Sequence, residues 1–213
     1  LEQFLVDAAG LPTLVPPGLP KDGCGWLVEF RGQPMHSMYA AVGSLLADKA
    51  RVQGMIPQGF SLSNEPYMVV PKEIKLAARR AAGKGRDETR NLYGFPPWTA
   101  NTAGVHVSFT EQTKFNTDLC KTCAKPAYVR EGNTFWDFVP LFRALVKEYK
   151  SEIRGAKRRP GQYEVKPDGR IEYRSLPCTV DLWKVATFVD RFIAGVPQTD
   201  LTGAPACSSD DDE

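Results

Sequence analysis

The sequence predicts an α+β fold dominated by helix: four or so amphipathic helices, short scattered strands and one C-terminal β-hairpin. Three observations lead there. Apolar residues recur at three-to-four spacing in several long stretches, the mark of helices with one buried face. The β-prone runs are short and do not alternate regularly with those stretches, which argues against a doubly wound parallel sheet. Apolar residues make up 42% of the 213 positions, enough to build a core and too many for general disorder.

Taken in order, residues 1–10 (LEQFLVDAAG) read as a short helix ending at Gly10. A Pro/Gly-rich crossing follows, in which four prolines forbid a regular element. CGWLVEF reads as a strand turned by Arg31-Gly32-Gln33-Pro34. Met35, Met38, Tyr39, Val42, Leu45, Leu46 and Val52 then set a helix over about residues 35–53. Tyr67 to Val70 (YMVV) reads as a short buried strand. Pro71 suits the first turn of a helix that runs to about Ala82 and stops at Gly83 and Gly85.

GVHVSF alternates as a strand does, with Val105, Val107 and Phe109 on one face. Phe138, Phe142, Leu145, Tyr149 and Ile153 form the clearest helical stripe, and Thr134 with Asp137 has capping-box spacing. Pro140 starts or kinks that helix. QYEV and RIEYRSL flank Asp168-Gly169, a hairpin signal. Leu182, Val185, Val189, Phe192 and Ile193 make the last helix. The expected organisation is a Pro/Gly-rich N-terminal arm over 1–34, one globular domain over 35–197 and an acidic disordered tail over 198–213.

Charge is unevenly placed. Residues 72–90 hold seven Lys/Arg against three acids, and residues 147–159 hold six against two. The last fourteen residues carry −5, so the rest of the chain stands at +7 although the whole is only +2. Basic patches on a folded body suggest a polyanion-binding surface. Lys75, Arg79, Arg80, Lys84, Arg86 and Arg90 are the expected phosphate contacts, joined by Lys157, Arg158 and Arg159. Tyr93 and Trp98 are the expected base-stacking residues. The bland counterpart is a solvated helix face followed by an aromatic plug.

This favours a non-catalytic, nucleic-acid-binding structural or assembly protein of nucleocapsid, coat or ribonucleoprotein type. Its partners would be nucleic acid, RNA above DNA, and copies of itself or neighbouring subunits. No cofactor is expected. The longest apolar runs are broken well short of a bilayer span, so no membrane partner is expected either. An intracellular location, or a virion, fits the five cysteines, an odd set without disulfide-framework spacing. The start at Leu1 rather than Met is expected of a product cut from a longer precursor.

Two rivals come from other classes. One is a cysteine hydrolase using Cys24 and His106, with Asn116, Asp118 or Asp137 to orient the imidazole. Gly23-Cys24-Gly25-Trp26 resembles the nucleophile segment of some cysteine proteases over three or four residues. The other is a protein–protein subunit whose basic faces meet an acidic partner. Cys120 and Cys123 have the spacing of half a zinc site, but no matching pair completes it. With two histidines and no strong carboxylate cluster in the linear sequence, acid–base chemistry is not expected.

Overall fold

A computed structural model describes residues 1–81, 101–109, 138–165 and 171–195. Within them lie strands β1 (Glu2–Val6), β2 (Leu27–Glu29), β3 (Ser61–Ser63), β4 (Gly104–Phe109), β5 (Tyr163–Val165) and β6 (Ile171–Pro177). The helices are α1 (Met38–Gln53), α2 (Lys72–Ala81), α3 (Val139–Glu148), α4 (Lys150–Gly155) and α5 (Leu182–Ile193). The strands are not scattered. They form two three-stranded sheets, ordered β2-β1-β3 and β4-β6-β5, and every pairing is antiparallel. With 21% strand beside 39% helix the fold is mixed α/β, which corrects the expectation of a helix-dominated chain.

The correction begins at the N-terminus. Residues 2–6 are the central strand of the first sheet, not a helix, and all five are buried. A strand covered on both faces loses the alternation that marks a half-buried one. The following DAAG is a turn rather than a helical end. Asp7 Oδ1 accepts from the backbone N–H of Ala9 (2.9 Å) and Leu11 (3.0 Å), and Gly10 takes a positive φ of 76°. The crossing after it folds onto this chain's own core, where Val15 and Leu19 are buried with residues of α3 and α5. The segment 67–70 differs from expectation too: Tyr67 makes a single bridge to Thr102, and Val69 is 70% exposed.

Other elements fall where periodicity puts them. The 138–153 stripe is buried throughout, but the helix breaks at Tyr149 into α3 and α4, with Pro140 in the first turn. Tyr163–Val165 pairs antiparallel with β6, Val165 opposite Ile171, as a hairpin requires, while its turn, the Thr134/Asp137 pair and the acidic tail lie outside the described residues. Phe142 lies 5.0 Å from Tyr173 and 6.1 Å from Tyr163, which fixes α3 on the second sheet through aromatic contact. Gly25 in the first sheet's loop has a φ of 87°, and a Cβ there would meet that of Ala78 at 3.3 Å. Ala78 is the buried contact of α2, so the small pair sets how closely that basic helix docks.

Helices α1 and α5 pack together, and their junction carries a long-range cap. Asp190 accepts from the backbone N–H of Met38 (2.7 Å) and Tyr39 (3.2 Å), two donors that the start of α1 leaves unpaired. Asp190→Ala should therefore lower stability by about 1–2 kcal/mol. Urea unfolding reads this as a lower midpoint; an unchanged midpoint would remove the cap from the account.

Candidate functional site

The two sheets meet at their most polar residues. Glu2 opens β1 and is buried, although a carboxylate at a strand start has easier access to water elsewhere. Its ladder partner in β2 is Glu29, so both carboxylates project to one side of the first sheet. From the second sheet, β4 supplies His106. The β4–β6 register shifts between Val105 and Val107, a bulge that re-aims the intervening side chain. The imidazole Nε2 lies 3.5 Å from Glu2 Oε2, and Nδ1 lies 3.4 Å from Glu172 Oε1. Both ring nitrogens thus face carboxylates from different strands.

Glu172 is itself held in place. Ser108 Oγ donates to its Oε2 at 3.3 Å, and Arg174 Nε lies 3.4 Å from its Oε1. Ser108 pairs with Glu172 across the ladder, and Arg174 lies two residues along β6 on the same face. Solvent reaches the row from this end: Ser108 is exposed and the Arg174 side chain keeps 27% of its surface. The result is a graded line, buried at Glu2, 13% exposed at His106 and half-buried at Arg174.

Burial dominates the proton affinity of Glu2. Loss of solvation, reinforced by nearby Asp22, pushes its pKa up from an ordinary 4.5 to about 7. Arg158, the Leu1 amine and Arg174 pull the other way without cancelling the rise. The carboxyl is therefore close to half-protonated at neutral pH. Linear sequence gave no sign of this, because Glu2, His106 and Glu172 come from three segments far apart in the chain.

The basic residues read from sequence fall into three groups. Lys84, Arg86, Arg90, Tyr93 and Trp98 lie outside the described residues, as do Cys120, Cys123, Asn116, Asp118 and Asp137. Lys75, Arg79, Arg80, Lys157 and Arg159 lie at the surface or half-buried beneath it. Arg158 points inward, where Nη1 donates to Thr102 Oγ1 at 3.2 Å and Nη2 to the Arg174 carbonyl. The two basic segments do converge. Lys75 Nζ donates to Asn101 Oδ1 at 3.0 Å, Arg158 holds the adjacent Thr102, and Lys157 Nζ sits 4.1 Å from the ring of Tyr67, which bridges Thr102.

Cys24 is placed differently from an activated nucleophile. It is fully buried among Phe4, Val6, Trp26, Leu27 and Ala78, and burial followed by Asp22 pushes its thiol well above the ordinary value. A thiolate nucleophile needs the opposite shift. Among the described residues no group of three His, Cys, Asp or Glu side chains is arranged to hold a metal ion. No described helix is long and apolar enough to cross a membrane. Compared with protein families, curated proteins and solved structures, the chain gives no match.

The sign of the Glu2 effect on stability follows from linkage. Between pH 4.5 and about 7 the folded protein keeps a proton that the unfolded chain releases, so stability falls as pH rises through this window. The full span is worth roughly 3 kcal/mol. Glu2→Gln should flatten that slope and leave the variant more stable than the parent at pH 8. Urea titrations at pH 5 and pH 8 check it, and identical slopes in the two proteins would contradict it.

Proposed function

We propose that this chain is an enzyme whose acid–base site is the Glu2–His106–Glu172 row. The observation that carries this reading is a carboxyl with a pKa of about 7, facing an imidazole whose other nitrogen faces a second carboxylate. Buried ionisable groups are poor sources of stability, and perturbed ones gather where proton transfer is needed. In this arrangement Glu172 accepts from the Nδ1–H of His106 and so leaves Nε2 to exchange a proton with Glu2. Arg174, at the solvent end of the row, is the group placed to receive an anionic part of a substrate.

The reaction class is proton transfer on a polar substrate bearing a phosphate or carboxylate. A thermal-shift panel of inorganic phosphate, polyphosphate and dicarboxylates tests it. At least one anion should raise the melting temperature of the parent, and that gain should disappear in Arg174→Met. No gain from any of them, or an equal gain in the variant, would overturn the assignment.

A second reading keeps the sequence-based expectation of nucleic-acid binding, with RNA as the favoured partner. What supports it is the meeting of Lys75, Lys157 and Arg158 along residues 67 and 101–102, which brings both basic segments to one edge. Exposed Arg80, Lys157 and Arg159 would take phosphates there, with Lys75 and Arg79 beside them. Binding to single-stranded RNA should then weaken steeply between about 50 and 200 mM salt. A mobility-shift assay showing no complex at low salt would remove this reading and leave the acid–base site standing.

A further inference from the structure

We propose that Arg158 is a positioning residue that holds the Glu2–His106–Glu172 row in register and joins it to the basic edge. The inference rests on the acid–base reading above. Sequence grouped Arg158 with its neighbours Lys157 and Arg159 as a phosphate contact, yet its guanidinium is turned into the protein. One arm reaches Thr102, just before β4, and the other reaches the carbonyl of Arg174 in β6. Thr102 lies four residues before His106, and Arg174 two residues after Glu172. A single planar group thus spans the two strands on either side of the bulge that aims the imidazole.

Gly104 shows how closely this group is fitted. A Cβ at position 104 would overlap the guanidinium carbon and both terminal nitrogens of Arg158. The guanidinium therefore lies against the α-carbon of the first β4 residue, and only glycine leaves room for it. Its Nε is buried with no hydrogen-bond partner among the described residues, so the two terminal nitrogens are the arms that serve the strands. Retaining a cation there is costly, and Arg is the cation that stays charged under those conditions.

That charge bears on Glu2. The carboxyl is faced by His106, by Asp22, by Glu29 across the β1–β2 ladder, by the Leu1 amine, and by Arg174 and Arg158 from the second sheet side. The acids favour its protonated form and the cations favour its charged form, with Arg158 the foremost of those cations. Lys157, the next residue, sits on Tyr67 at the surface, so the same short segment touches both the basic edge and the row.

The test is carbon-detected NMR titration of the Glu2 carboxyl in the full chain. Arg158→Met should raise its midpoint by about one pH unit, a tenfold gain in proton affinity. Gly104→Ala should raise it as well, by displacing the guanidinium, and carries the test if Arg158→Met does not fold. Arg158→Lys, which keeps the charge, should stay close to the parent. Midpoints unchanged in Arg158→Met and Gly104→Ala, with only the melting temperature lowered, would mark a purely structural arginine and overturn the proposal. A parent Glu2 that titrates near the ordinary carboxylate value would overturn it together with the acid–base reading; unchanged midpoints around a raised parent value would overturn Arg158's part alone.

Discussion

The burial of Glu2 against His106, between two sheets, is the constraint around which the described structure is arranged. Glu2 stands on the central strand β1, with its carboxylate covered by His106 of the second sheet. The register shift of β4 falls at His106, the residue that faces both carboxylates. Gly104 and Arg158 go together, because the guanidinium that ties β4 to β6 has room only over a bare α-carbon. Hydrophobic packing then has to keep these pieces still. Trp26, Phe4 and Leu27 on one side and Tyr173, Leu176 and Phe138 on the other are all buried to 1% exposure or less.

Such an arrangement is expensive for a protein of this size. An apolar residue in place of Glu2 would stabilise the sheet junction more simply, as replacements of buried ion groups by well-packed side chains often do. Four ionisable groups, Glu2, His106, Glu172 and Arg174, have instead been gathered at one place. The row is also graded from a dry end to a wet one. Its outer end is the exposed Ser108 and the half-buried Arg174, the end at which the proposed acid–base reading would admit a ligand.

How much of this was legible in the sequence depends on whether the signal was local. The periodicities of Val42, Leu45 and Val52, of the Phe138–Ile153 stripe and of Val185 with Val189 are carried by neighbouring turns, and those helices are present. The Asp168-Gly169 signal likewise announces the pairing of β5 with β6. Strand β1 looks helical in the sequence because burial on both faces erases its alternation, and β2, β3 and β5 are three residues each, too short to show a period. The site was hidden for a related reason. Glu2, His106 and Glu172 were present in the sequence as isolated polar residues, and only strand pairing turns three such residues into a row. Arg158 shows the limit most plainly: among three consecutive cations, composition cannot tell which one faces inward.

Infrared difference spectroscopy of the unliganded protein across pH 5 to 9 tests the central claim most directly, since a protonated carboxyl has its own carbonyl band. The account predicts that this band is lost with a midpoint near pH 7 in the parent, as the raised Glu2 pKa requires, and that it is absent from Glu2→Gln over the same range. A spectrum without that loss, every carboxyl having ionised by pH 5, would mean that Glu2 is an ordinary carboxylate and that the row holds no proton to transfer.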